Sequence, residues 1–176
     1  TPGFYYWDGT QWVRLATGPT GPLGGFTHRI GEEKDGGIIF YLYIGDDGME
    51  HGLIVSKTEQ TGTKWQNTGT TTGAKRSWDG DYNTNLMTDS PAKTYVQSLG
   101  TGWYLPSIAE LSILWQNIYV VNKALSSGGY TLLGNAYYWS STENDATNAW
   151  RFSFINGEAF SYGKTYTYTV RGVRAF

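Results

Sequence analysis

The sequence predicts an α+β domain in which two helices cover a small antiparallel sheet and long loops join the elements. Three observations predict this class. An apolar and aromatic run at 38–44 meets a Gly-rich turn, two capped helical segments lie mid-chain, and residues 137–176 alternate apolar and polar side chains at the strand period. The chain of 176 residues, 39% of them hydrophobic, suffices for one core.

The composition excludes several classes of function. A net charge of −2 provides no basic surface for nucleic acid, and no apolar run approaches the ~20 residues of a membrane-spanning helix. With 0 Cys, the chain cannot form disulfides, thiolate metal sites or a cysteine nucleophile. A composition rich in Gly, Thr and Tyr and low in charge is typical of a β-rich extracellular module. Because Thr1 is not a natural start residue, we expect a fragment or a processed product.

Three segments are expected. Residues 1–17 predict an aromatic hairpin, because Asp8-Gly9 suits a tight turn between two short aromatic runs. Residues 18–26 contain two Gly-Pro-x triplets, which predict an extended linker or the end of a collagen-like stalk. A stalk of that kind would join three chains into a homotrimer. Residues 27–176 then form the ligand-binding domain.

The middle of the chain predicts a hairpin, a long loop and the two helices. Runs at 38–44 and 53–55 flank the turn, and residues 61–85 predict a surface loop pinned by Trp65 and Trp78. The first helix is expected to start at Asp89-Ser90-Pro91 and to end near residue 100. The second is expected to start at Ser107, with Glu110 completing a capping box, and to run to about residue 125.

Residues 137–176 predict four strands, near 137–141, 149–154, 158–162 and 167–174. In the second strand, one set of alternate residues should face the core and the other should face outward. The positions that suit packing are Trp139, Trp150, Phe152, Phe154, Val170, Val173 and Phe176. Between them stand residues of no consistent chemistry, as in a binding surface built on a fixed framework.

This region resembles the variable region of target proteins of diversity-generating retroelements, of the gut Bacteroides and phage kind. The resemblance rests on Tyr-Trp-Ser-Ser-Thr-Glu at 138–143, Asn-Ala-Trp at 148–150, Phe-x-Asn-Gly at 154–157, an isolated Lys164 and Val-Arg-x-Val-Arg-Ala-Phe at 170–176. In addition, Gly-Trp-Tyr-Leu-Pro-Ser-Ile-Ala-Glu-Leu at 102–111 resembles the start of the Lcl C-terminal domain. The resemblance implies a C-type-lectin-like fold of the formylglycine-generating-enzyme subtype, whose cysteine-based chemistry the absence of Cys excludes here.

In that family an error-prone reverse transcriptase rewrites template adenines, so that asparagine codons come to encode many residues. Such a codon cannot yield Trp, Lys, Gln, Met or Glu. In the variable region 137–176 these types occur at five positions: Trp139, Glu143, Trp150, Glu158 and Lys164. The family pattern keeps four of the five fixed. Glu158 departs from the pattern, and either arises from a Lys codon or is fixed in this chain.

The resemblance implies a ligand-binding surface on the varied positions. Tyr162, Tyr166 and Phe160 are its expected aromatic anchors, with Arg151 and Asp145 adding charged specificity at the rim. An ordinary half-solvated hairpin is the alternative. The full set of predicted ligand-binding positions is Asp145, Thr147, Arg151, Ser153, Ile155, Phe160, Ser161, Tyr162, Gly163, Thr165, Tyr166 and Thr167.

The implied function is non-catalytic binding by a diversified receptor on a bacterial cell surface or a phage particle. Its partner would be a protein or glycan on another cell, with no nucleic-acid partner and no membrane insertion. The alternative is a non-diversified carbohydrate-binding or adhesin module of Lcl type. An enzyme is disfavoured, because no nucleophile elbow accompanies His28 and His51.

No cofactor is expected. Residues 79–85 resemble the first half of a calcium loop, but Thr84 and Ser90 occupy positions where an EF-hand requires Gly and Glu, so a turn-rich loop is the competing interpretation. Ser140, Ser141 and Thr142 are expected to bond the backbone rather than act as nucleophiles.

Overall fold

A computed structural model describes residues 5–7, 9–14 and 25–176. The predicted N-terminal hairpin is present as strand β1 (Tyr5–Trp7) paired antiparallel with β2 (Trp12–Arg14). Asp8 of the predicted turn and residues 18–24 of the predicted linker lie outside the described residues. The main domain is therefore described from residue 25 onward.

Seven strands form one sheet in the order β3-β4-β5-β9-β6-β7-β8. The prediction of a small sheet was wrong in size. It was also wrong in direction at one place, because β6 pairs in parallel with β9 through Tyr138 and Thr169. The strands are β3 (Glu33–Lys34), β4 (Gly37–Ile44), β5 (Glu50–Lys64), β6 (Tyr137–Glu143), β7 (Asn148–Ser153), β8 (Ala159–Gly163) and β9 (Thr167–Ala175).

In the described part of the chain four helices accompany the sheet, where two were predicted. The first predicted helix is observed with Ser90 as its N-cap, and the Ser107–Glu110 capping box of the second is also confirmed. The second helix, however, breaks at Asn117, whose side chain donates to the Ile113 carbonyl at 3.0 Å. The helices are α1 (Gly80–Leu86), α2 (Pro91–Ser98), α3 (Ile108–Gln116) and α4 (Ile118–Ser127).

The segment predicted as a long loop is partly regular. Strand β5 continues to Lys64 through two irregularities in its pairing with β9, and α1 occupies residues 80–86. Trp65 is fully buried, and its indole N–H donates to the Ser140 carbonyl at 2.7 Å. Trp78 is 68% exposed, so its predicted role in pinning the loop was wrong.

Hydrophobic side chains cover both faces of the sheet. Tyr138 packs with Phe152 and the buried leucines of α3 and α4, whereas the neighbouring Trp139 packs with Val170 and α2 residues such as Val96 on the opposite face. Adjacent residues of a strand point to opposite faces, so these two clusters sandwich the sheet between helix layers. None of the helices in the described part of the chain is long and apolar enough to cross a membrane.

Candidate ligand-binding face

Five aromatic side chains from β6, β8, β9 and the β8–β9 turn lie together on the sheet face that carries Trp139. Tyr137 meets Phe160 and Tyr168 edge to face, with ring centroids 6.3 Å and 5.9 Å apart. Tyr162 likewise contacts Tyr168 at 5.7 Å and Tyr166 at 4.9 Å. Phe160 and Tyr162 are each 38% exposed and Tyr166 is 58% exposed. We call these five residues the aromatic face.

Arg151 of β7 lies within this face. The central carbon of its guanidinium is 3.9 Å from the centroid of Tyr137, 4.2 Å from that of Tyr168 and 4.4 Å from that of Tyr162. The sequence placed Arg151 at the rim, and the structure corrects this to the centre. Rings of this kind attract a cation through their negative π-faces, which explains the position. The Nε atom of Arg151 is buried and has no hydrogen-bond partner.

The β6–β7 turn next to this face is closed by Asp145. Its carboxylate accepts from the backbone N–H groups of Thr147 and Asn148, both at 2.8 Å, and from the side chains of the same two residues. These bonds lower the pKa of Asp145 to about 2, and the bond from the Asn148 side chain has the largest effect. The charge of Asp145 is therefore engaged within its own turn, although it was predicted to supply specificity.

A buried ion pair fixes the β8–β9 turn. The Lys164 ammonium lies 2.9 Å from Oε2 of Glu143, and both side chains are fully buried. Lys164 also donates to the Thr70 carbonyl at 2.8 Å, while Glu143 accepts from the Thr72 N–H at 2.6 Å. Burial alone would raise the pKa of Glu143, but the bonds from Lys164 and Thr72 outweigh it and lower that pKa. The pair thus ties the turn to the loop before α1.

A second buried network supports the sheet behind the site. Arg171 donates from Nη1 to Glu59 at 3.0 Å and from Nη2 to the Thr131 carbonyl at 2.8 Å. Tyr138 donates its hydroxyl to the same Glu59 carboxylate at 3.0 Å. Burial lowers the pKa of Arg171, whereas burial and then the Glu59 charge raise the pKa of Tyr138. Arg171 therefore belongs to the framework of the domain.

Two predicted site residues do not contribute to the aromatic face. Ser153 is the cross-strand partner of Tyr137, but it is fully buried and its hydroxyl has no hydrogen-bond partner, so its predicted exposure was wrong. Ile155 is 59% exposed, but it follows β7 at the opposite end of the β7–β8 hairpin from Gly163. Of the other predicted positions, Thr147, Thr165 and Thr167 are exposed, and Ser161 and Gly163 are half-buried. Ser161 pairs with Trp150 and therefore lies on the sheet face opposite Arg151.

Sequence reasoning missed Tyr137 and Tyr168 as site residues. Both are half-buried, and both contact the guanidinium of Arg151. The strand period held a usable signal, because Tyr137 stands two residues before Trp139, and Tyr168 two before Val170. These two pairs share one sheet face, where the second residue of each is buried and the first is at its margin.

The other candidate sites considered from the sequence have structural roles. Residues 79–85 form the N-cap and most of α1 rather than a calcium loop, with Asp79 accepting from the Tyr82 N–H. No group of three or more His, Cys, Asp or Glu that could hold a metal occurs in the described residues. Ser140 donates to the Trp150 carbonyl at 2.7 Å, which fits the predicted backbone-bonding role. His28 pairs with Glu50.

The aromatic face lies far from the point where the chain enters the domain. The Thr27 N–H donates to Glu50 at the start of β5, whereas the Trp65 N–H, just past the end of β5, donates to the Lys164 carbonyl at 3.0 Å. Strand β5 has 15 residues, so at ~3.3 Å per residue these two ends are roughly 40 Å apart once its irregularities are allowed for. The entry and the β8–β9 turn are thus at opposite ends of the sheet.

Comparison with known proteins identifies a family and a similar solved structure. Residues 55–174 match the Lcl C-terminal domain family. The structure is similar to the crystal structure of a fimbrial protein from Bacteroides ovatus ATCC 8483, with a TM-score of 0.58 and 23% sequence identity. The similarity covers 74% of this chain and 37% of the fimbrial protein, so the chain corresponds to little more than a third of that protein's length. No curated protein matches the chain.

Proposed function

The chain belongs to the Lcl C-terminal domain family, and from this premise we propose that it is a non-catalytic, surface-displayed binding module of adhesin type. The observation that carries the proposal is the aromatic face with Arg151 at its centre. Tyr and Arg are enriched among the residues that dominate binding energy at protein interfaces, because they supply large contact area and directed polar groups.

The chain path supports display at a surface. Residues 1–26 lead into the end of the sheet at which Thr27 meets Glu50, and the aromatic face lies toward the other end. We propose that residues 27–176 form a ligand-binding domain presented at the tip of a linker or stalk at 18–26, in a homotrimer if the stalk is collagen-like. The structural similarity to a fimbrial protein is consistent with an extracellular, cell-surface location.

We further propose that the surface is diversified by a retroelement on a C-type-lectin-like scaffold. Phe160, Tyr162 and Tyr166 belong to the aromatic face and Arg151 lies at its centre, whereas Ser153 is buried and Ile155 lies at the other end of the β7–β8 hairpin. Trp139, Glu143 and Lys164, whose types an altered asparagine codon cannot encode, are buried framework residues. Variation would then change the surface without removing the contacts that hold the fold.

Sequencing the DNA around the gene tests diversification directly. A second, untranslated copy of the codons for 137–176 should lie beside a reverse-transcriptase gene and differ only where that copy has adenine. If no such copy exists, the second candidate stands: a fixed Lcl-type adhesin that uses the same exposed rings to stack on sugars. Binding to a glycan panel, measured with and without calcium, then identifies its ligand class.

Alanine substitutions separate a binding face from a catalytic centre. Replacing Tyr162 and Tyr166 one at a time should give graded losses of binding, of roughly 1–3 kcal/mol at an anchor residue. Loss of all function on removal of one polar residue, with binding intact, would instead identify an enzyme. The matched control is Tyr119→Ala on α4, because Tyr119 is 78% exposed and lies outside the face.

A further inference from the structure

Resting on the proposed function, we infer that the aromatic face takes a carboxylate of a partner protein, bound at the edge of the Arg151 guanidinium. The surface is open, whereas three cavities of 690, 600 and 380 Å³ are lined by other parts of the chain. The chemistry of the ligand therefore has to match both the Arg151 guanidinium and the aromatic rings around it.

Arg151 has no anionic partner among residues 5–7, 9–14 and 25–176. Its buried Nε has no partner, and none of its contacts within the described part of the chain is an ion pair. Arg171, by contrast, pairs with Glu59, and Arg76 donates to Asp79 at 2.7 Å. Nε is the only buried nitrogen of Arg151 that lacks a partner, so an incoming acceptor approaches the Nη groups, whose unused N–H donors carry a cost that the acceptor removes.

The geometry of the rings favours a planar anion. Tyr137, Tyr162 and Tyr168 surround the guanidinium at 3.9–4.4 Å and restrict its orientation. The N–H groups of a guanidinium lie in its plane and match the two oxygens of a carboxylate in a forked arrangement. Because the rings already hold this plane, little side-chain entropy remains to be lost on binding.

Among the residues that the structure describes, the nearby carboxylates already have other partners. Asp145 is bound within its turn, and Glu158 accepts from Asn156 at 2.7 Å at the far end of the hairpin. Phe160 and Tyr162 beside Arg151 are each 38% exposed, whereas Tyr137 and Tyr168 are half-buried. Such an aromatic surface with one central Arg fits a protein partner that presents Asp or Glu among apolar residues. An acidic sugar is the competing source of the carboxylate.

Nuclear magnetic resonance titration of the full 176-residue chain tests the inference. The probes are the acetylated, amidated tripeptides Tyr-Glu-Leu and Tyr-Gln-Leu, together with sialyllactose and lactose. The glutamate peptide should shift the Arg151 Nε–H resonance and bind roughly tenfold more tightly than the glutamine peptide. Arg151→Lys keeps the charge but loses the fork, and should abolish most of that preference.

Arg76→Lys is the matched control, because Arg76 lies 3.4 Å from the Tyr82 ring but already has Asp79 as its partner. This variant should keep the preference for glutamate. Equal binding of both peptides, an unchanged preference in Arg151→Lys, or no shift at about 10 mM probe overturns the carboxylate site. Binding of sialyllactose without the glutamate peptide overturns the protein partner and assigns the carboxylate to a glycan.

Tyr162→Ala distinguishes failure of this inference from failure of the proposed function. If the two peptides bind equally and Tyr162→Ala weakens both, the carboxylate inference fails while the aromatic face remains a binding surface. If Tyr162→Ala changes the binding of no probe and of no cell-surface ligand, the proposed function fails with it.

Discussion

Replacing Lys164 by Met should destabilise the domain by about 3 kcal/mol or more, because it leaves a buried carboxylate without its cation. The substitution keeps a long, unbranched side chain and removes only the ammonium group. Both side chains of the Lys164–Glu143 pair are fully buried, and Nζ of Lys164 lies 2.9 Å from Oε2 of Glu143. The same change removes the donor to the Thr70 carbonyl.

Urea unfolding followed by tryptophan fluorescence measures this loss. For a chain of this size, about 3 kcal/mol corresponds to a fall in melting temperature of roughly 6–12 °C. Glu33→Gln is the control, since Glu33 pairs with Lys57 at the surface and its side chain is 53% exposed. That control should leave the unfolding midpoint unchanged, because exposed ion pairs contribute little.

The pH dependence of the same variant checks the reasoning independently. The pKa of Glu143 is lower in the folded chain than its ordinary value. Its contribution to stability is therefore present above about pH 4.5 and is lost as the pH falls through the lowered pKa. The difference between wild type and Lys164→Met should shrink over that range. A loss under about 1 kcal/mol at pH 7, or one independent of pH, would refute the role given to this pair.

Three further outcomes follow from individual positions. Gly157→Ala should lower the free energy of unfolding by about 1–3 kcal/mol, because φ of Gly157 is +76° and the new Cβ would lie 2.6 Å from the Trp115 indole of α3. Gly134→Ala is the control in the same urea assay; it has open space around the new Cβ and should be neutral. The Asp145 carboxyl should titrate near pH 2, with the Asn148 amide resonance keeping its bonded position down to about pH 3 and losing it below. Ser153→Ala should keep or raise the melting temperature, since the buried hydroxyl has no partner, while Ser153→Tyr should prevent folding.

Local rules predicted the elements whose ends are set by their own residues. Helix α2 starts after Ser90, whose hydroxyl accepts from the Lys93 N–H at 3.1 Å. The capping box at Ser107 likewise depends on a residue three positions away. The four C-terminal strands were predicted to within two residues, since their apolar positions follow the strand period.

Long-range contacts decided what the sequence did not reveal. The local sequence does not predict that β6 runs parallel to β9, because the pairing joins Tyr138 and Thr169, which are 31 positions apart. The extension of β5 to Lys64 likewise depends on β9 as its partner. A Thr- and Gly-rich segment such as 61–64 has weak intrinsic preference, so the partner strand determines its conformation.

The candidate site was predictable where the strand period held and not where it ended. Arg151 was assigned correctly to the outward set, but only the structure shows three Tyr rings around it. Ser153, the last residue of β7, shares the sheet face of Arg151 and is nevertheless fully buried, so alternation no longer indicates exposure there. Burial at a strand end depends on the neighbouring turn, which period alone does not describe.

The placement of the buried pairs would allow substitutions on this surface while the fold persists. Lys164 stands between Gly163 and Thr165, two positions predicted to vary, yet its backbone bonds Trp65 and Thr147 and its ammonium bonds Glu143. The turn is thus held by main-chain bonds and by the buried side chain of Lys164. Substitutions at the exposed rings then change contact area and chemistry at little cost to stability, since surface changes away from such networks are usually within about 0.5 kcal/mol.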